Sequence, residues 1–220
     1  MRNLEKDELE MAARREFMLS EGFRLFSEKG IESVSMQEVA NACGLGIATL
    51  YRYYNTKLDL VLAIGTRQWE EYSAEVEERR SARHPETLTA AQHLDFYLNF
   101  YIDMYKEHKA LLRFNQNFNN FVRSEGATKE QLAPYVAAIS NMRVPFHGLY
   151  EQGKRDGTIR TDISEDKLFA TTSHIMLAVA VRYAQGLVYL AQNEEDQTEE
   201  LYLLKQMILR EFVVEHPPDE

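Results

Sequence analysis

Thr49, Tyr51, Arg52 and Lys57 are the residues whose types and spacing best fit a chemistry. Three hydroxyl or cationic donors sit on one short helical stretch, and a fourth follows a turn later. A DNA duplex is gripped by such a set: hydroxyls and ammonium groups meet phosphate oxygens, and a guanidinium reads base edges in the major groove. Other chemistries lack their residues. No G-x-S-x-G, P-loop or Cys/His nucleophile pattern occurs. The six histidines show no H-x3-H spacing, so no metal site, cofactor or enzymatic activity is assigned.

The donors need a scaffold, and the surrounding stretch SMQEVANACGLGIATLYRYYNTK (residues 35–57) supplies one. Ser35 and Glu38 have the spacing of a capping box. Met36, Val39, Ala40 and Cys43 follow as an apolar stripe at helical spacing, which makes Cys43 a buried, inert thiol. Gly44 suits the left-handed position that stops a helix. A second helix, about Ile47 to Tyr54, turns Leu50 and Tyr53 or Tyr54 inward and leaves Thr49, Tyr51 and Arg52 outside. Two short helices so joined make a helix-turn-helix. A longer helix precedes them, about Leu9 to Lys29, with Leu19, Gly22, Phe23 and Phe26 inside and Gly30 at its end. Asn55 or Thr56 caps another over residues 57–80, roughly 36 Å long, carrying Leu58, Leu62, Gly65, Trp69, Tyr72 and Val76. That helix joins the head to the rest of the chain.

From FMLSEGFRLFSEKGIESVS (residues 17–35) through VANACGLGIATLYRYY to Asn55-Thr56-Lys57-Leu58, the first third of the chain resembles the TetR family of transcriptional regulators. The resemblance implies phosphate contacts at Thr49, Tyr51 and Lys57 and groove contacts near Arg52. The DNA-binding set drawn from the residues and the resemblance is Ser35, Gly46, Ile47, Thr49, Tyr51, Arg52, Tyr53 and Lys57. Gly46-Ile47 departs from the Ser-Lys pair common in the family. Glycine at an N-cap costs only a few tenths of a kcal/mol relative to serine, so the helix still forms, and Ile47 offers a methyl contact to thymine instead.

The net charge of −10 looks wrong for a DNA binder until it is divided. Residues 1–65 hold 8 Lys and Arg against 10 Asp and Glu, so the head is nearly neutral and the acid lies elsewhere. Between Ala40 and Leu58 the only charges are Arg52 and Lys57, with Arg14 and Arg15 on the first helix. Sparse phosphate contacts predict a shallow salt dependence, and the acidic remainder keeps DNA on one face. The N-terminus is charged and no apolar run is long enough to span a bilayer, which predicts a cytoplasmic protein without a membrane segment.

Everything after residue 65 reads as further helix, so the fold is expected to be all-α. An N-terminal three-helix helix-turn-helix domain (10–65, with the motif at 35–54) precedes a larger helical ligand-binding and dimerisation domain (66–214) and a disordered tail (215–220). Leu88–Tyr105 is apolar almost all round and must be surrounded by protein. A helix over 129–154 is kinked or divided by Pro145. Asn and Gln interrupt the stripe Leu111, Phe114, Phe118, Phe121, and buried amides need partners, which a cavity and its ligand would supply. Tyr97, Tyr101, Met104, Phe114, Phe118, Phe121, Met142, Phe146, His174 and Arg182 are the candidate pocket residues. The last helices carry a second apolar stripe, Ile175, Val179, Leu203, Met207 and Val214, beyond what an intrachain core needs. A two-fold dimer through a four-helix bundle accounts for it, and the resemblance implies the same arrangement. The reading is a homodimeric regulator, a repressor released from a palindromic double-stranded DNA operator by a small apolar or aromatic effector. The alternative is a helical dimeric interaction protein with residual DNA binding and no effector.

Overall fold

The computed structural model describes residues 4–83, 87–186 and 197–214; the expected tail lies outside them. Among the described residues the chain is all-α. Ten helices follow in order: α1 (Leu4–Lys29), α2 (Met36–Ala42), α3 (Ile47–Tyr53), α4 (Lys57–Ser81), α5 (Ala90–Glu107), α6 (Lys109–Ser124), α7 (Lys129–Ser140), α8 (Val144–Asp156), α9 (Glu165–Ala184) and α10 (Thr198–Phe212). Pro145 does divide the expected 129–154 helix. A 3₁₀ turn (Asn141–Arg143) intervenes, and the proline stands in the first turn of α8, where its missing amide leaves no bond unmade.

Two compact units arise, and they do not follow the chain. Met1–Trp69 join Arg113–Ala137, and Glu70–Leu112 join Ala138–Glu220. Residues 113–137 go with the first unit because their aromatic stripe meets α1 and α4. Phe114 lies 5.7 Å from Phe23, Phe118 stacks on Tyr135 at 4.2 Å, and Trp69 Nε1 donates to the Tyr135 hydroxyl at 3.3 Å. Gly65 makes the approach possible: a Cβ there would stand 2.8 Å from the Phe118 ring.

The amides that interrupt this stripe mostly face solvent. Gln116, Asn119 and Asn120 are exposed, and Asn117 donates to the Arg113 carbonyl. Asn115 differs. It is buried, and neither its Oδ1 nor its Nδ2 has a hydrogen-bond partner among the described residues. An unmet buried amide costs about 1–3 kcal/mol. Asn115→Leu, of similar size, is therefore expected to stabilise the protein, read as a raised urea midpoint; a lowered midpoint would show that the amide is satisfied after all.

The second unit is built on α5, whose apolar perimeter is covered by α8, α9 and α10. Leu94, Leu98, Ile102 and Tyr105 are fully enclosed, as a helix apolar all round requires. α10 buries Leu201, Ile208 and Phe212. Lys205 on the same helix is also buried, with its ammonium 2.8 Å from both Asp95 and Asn99, so its charge is neutralised where it sits. The second half of α4 is tied to α5 by Tyr72, whose hydroxyl donates to the Phe100 carbonyl, and by Arg79 to Asp103. No helix among the described residues is long and apolar enough to cross a membrane.

Candidate functional site

The first unit presents the helix-turn-helix, and its local chemistry explains each part. Ser35 Oγ accepts from the Glu38 amide at 3.2 Å while the Glu38 carboxylate accepts from the Ser35 amide at 2.8 Å. Both orphan donors at the start of α2 are thus met, and the Ser35 amide and hydroxyl hold the Glu38 carboxyl below its usual range. Ser35 acts here first as a cap. At the other end Gly44 takes φ +65°, and the Leu45 amide bonds the Ala40 carbonyl, a Schellman closure. That turn sets the angle at which α3 leaves.

α3 buries one side chain completely, Leu50. Tyr54, just past its end, is buried too, and burial pushes its hydroxyl up to about 12; Tyr53 is half-buried. Of the two tyrosines that alternated as inward candidates, Tyr54 is the core residue. Tyr51 and Arg52 are exposed, and Thr49 and Ile47 are half-exposed beside them. Arg52 rests its guanidinium on Thr49 Oγ1 at 3.3 Å. Gly46 caps α3 with backbone alone and is exposed. Thr56 and Asp59 cap α4 reciprocally. Cys43 is half-buried rather than enclosed, and burial raises its thiol pKa.

Lys57 is placed differently from the others. Its ammonium donates to the Glu32 carbonyl at 3.3 Å and lies 5.2 Å from the Phe121 ring and 5.9 Å from that of Phe26. Burial lowers its pKa, although Glu125, Glu32 and Glu38 pull the other way. A phosphate would have to share an ammonium already engaged.

The second unit contains a cavity of about 810 Å³. The second half of α4 forms one wall with Glu70, Ser73, Ala74, Val76, Glu77 and Arg80. α5 contributes His93, Phe96, Tyr97 and Phe100, and the α8 region Asn141, Met142, Val144, Pro145, Gly148, Leu149 and Gln152. Of the candidate pocket residues only Tyr97 and Met142 line it. Tyr101, Met104 and Phe146 are buried in the core behind. Phe114, Phe118 and Phe121 belong to the first unit, because their stripe is spent on α1, α4 and Tyr135. His174 and Arg182 are exposed on α9, on the side turned from the core, so they do not anchor anything in this cavity. The α4 wall went unnoticed in the sequence because its residues are mixed in polarity. The available signal was a row at helical spacing, Glu70, Ser73, Glu77, Arg80, facing away from the apolar stripe.

Behind the cavity the Tyr97 hydroxyl is 3.2 Å from that of Tyr101 and 3.4 Å from Ser173 Oγ. Burial pushes the Tyr97 hydroxyl well above its usual pKa, so it remains a neutral donor. On the outer face, Ile175, Leu203 and Met207 are exposed at 40%, 62% and 60%. Val179 and Val214 are half-buried, and the Val214 amide bonds the Thr158 carbonyl.

A capped helix, a Schellman turn and a second helix bearing exposed hydroxyl and guanidinium groups define a helix-turn-helix DNA-binding protein. Residues 18–64 match the family of bacterial regulatory proteins, tetR family. The chain is 29% identical over 151 residues to an HTH-type transcriptional regulator of Staphylococcus aureus (strain MRSA252), covering 68% of this chain and 72% of that one. Its fold is that of FadR from Bacillus subtilis, solved with stearoyl-CoA (TM-score 0.67, 12% identity, covering 88% and 96% of the two chains). It is also that of a transcriptional regulator from Saccharomonospora viridis solved with choline (TM-score 0.69, 17% identity, 93% and 100%). Through residues 18–64 the chain is similar to the TetR family, and it is a DNA-binding transcriptional regulator.

Proposed function

We propose that this protein is a homodimeric repressor whose affinity for a palindromic operator falls when a small effector occupies the cavity of the second unit. One observation carries the reading: α4 is a single helix that begins inside the helix-turn-helix unit at Lys57 and whose later turns form a cavity wall. A ligand that favours one placement of that wall biases the helix that also buttresses the head. Such coupling between sites amounts to about 1–3 kcal/mol in either direction. The ligand complexes of the Bacillus subtilis and Saccharomonospora viridis proteins support a cavity role in this fold.

Dimerisation through α9 and α10 would cover Ile175, Val179, Leu203 and Met207, with Val214 at the edge. A two-fold pair then sets two α3 helices about one helical turn of DNA apart or slightly more. Thr49, Tyr51 and Lys57 meet phosphates; Arg52, Ile47 and Tyr53 face the groove; Gly46 offers its backbone amide at the start of α3, while Ser35 holds α2 as its cap. The protein would act in the cytoplasm, where bacterial DNA lies.

The test is selection of bound duplexes from a random pool at moderate salt, followed by operator affinity with and without cavity ligands. A recovered palindrome, and a ligand that weakens binding fivefold or more, is the expected result. A ligand that binds tightly and leaves operator affinity unchanged removes the coupling.

A further inference from the structure

The cavity's charge and its rings discriminate between kinds of effector. Among the described residues, Arg80 is the one Lys or Arg on the wall, and it is spent: its Nε and Nη2 each bond the Glu77 carboxylate at 2.7 Å. An anionic ligand therefore finds no uncommitted Lys or Arg among the lining residues; Arg83, outside the lining, lies over the Phe96 ring. Glu70, exposed on the same face of α4, forms no ion pair among the described residues, so the lining holds one carboxylate more than its single guanidinium, with the imidazole of His93 beside them. Opposite stand Phe96, Tyr97 and Phe100, three rings packed edge to face at 4.7 and 6.0 Å. The Phe96 ring already carries the Arg83 guanidinium 4.6 Å from its centre, so this aromatic wall tolerates a cation.

We infer that the effector is a hydrophobic cation, an amine or quaternary ammonium with an apolar body. The charged group lies between the Glu70 carboxylate and the aromatic wall, and the body fills the space towards Met142 and Leu149. Acyl carboxylates and phosphates are disfavoured by the same arrangement. The inference rests on the reading of this cavity as the effector site, and its test separates the two.

Decyltrimethylammonium, decanol and decanoate share a chain length and differ in the head. Their binding to the full chain is measured by calorimetry below their micellar concentrations, and operator release is measured alongside. The expected order is the cation about tenfold tighter than the alcohol, and decanoate weakest. Glu70→Gln should remove the cation's advantage while leaving the alcohol within about twofold, and Phe96→Leu should reduce it in part. Equal or tighter binding of decanoate overturns the cation assignment but leaves the cavity reading standing, provided that binding releases operator. A cation preference that survives Glu70→Gln is adsorption to the acidic surface and overturns the assignment too. If none of the three binds and none releases operator, both readings fall.

Discussion

Phe118→Ala should lower the unfolding free energy by about 3–5 kcal/mol. The ring is 1% exposed, stacks on Tyr135 at an interplanar angle of 25°, and lies 5.6 Å from Phe114. Its loss leaves a void that α4 and α7 cannot close without breaking the Trp69–Tyr135 hydrogen bond. Gly65 supplies an internal check. Gly65→Ala alone gains helix propensity of roughly 1 kcal/mol. It also drives a methyl into the Phe118 ring, whose edge is 2.8 Å from the ideal Cβ, and overpacking of this kind costs about 1–3 kcal/mol. In the Phe118→Ala background only the Tyr135 ring edge, at 3.0 Å, still crowds the methyl, and the void gives that ring room to shift. The double variant should then be more stable than the sum of the single effects by about 1 kcal/mol or more. Urea unfolding at fixed protein concentration measures all three. A Phe118→Ala loss below 1 kcal/mol, or strict additivity, would mean that residues 113–137 do not pack on the head as described.

Arg52→Ala should relax operator preference at one base pair per half-site, costing roughly 1–3 kcal/mol there and little elsewhere. Arg52 is exposed on α3 and is held loosely, by a single 3.3 Å bond to Thr49, so it can be redirected to a base edge. Tyr51→Ala, by contrast, should weaken binding to every sequence alike, since a phosphate contact positions the protein without reading it. Affinities measured on an operator panel with each base pair changed in turn distinguish the two patterns. Unaltered specificity in Arg52→Ala would transfer base readout to Ile47 or Tyr53. Lys57→Ala is expected to resemble Tyr51→Ala, with a smaller effect because the ammonium is already shared with Glu32 and two rings.

The local devices of the head were legible in the residues. A serine three positions before a glutamate, a glycine after an apolar stripe and a threonine before an aspartate each act within one turn of chain. Their partners are fixed by spacing alone: the Ser35–Glu38 capping box and the Gly44 turn form as read, and of Asn55 and Thr56 it is Thr56 that caps α4, with Asp59 answering it. The two faces of α10 were equally legible, because periodicity separates a stripe that turns inward from one that does not. The same periodicity drew the all-α fold, and the missing amide of Pro145 the break there.

Tertiary structure alone decided which stripe meets which. Phe114, Phe118 and Phe121 have the pattern of a pocket lining and of a core equally well, and only the close approach at Gly65 assigns them to the head. His174 and Arg182 stand among apolar neighbours in sequence yet face solvent, because α9 turns its small and apolar face, Leu168, Met176 and Ala180, to the core. Lys57 carries the same resemblance as Tyr51, but Glu32 is 25 residues away and Phe121 is 64 residues away, and no local rule brings them to its ammonium. Hydrophobic burial is non-directional and proportional to area, so an amphipathic pattern specifies that a face is covered and leaves the covering element to the global packing.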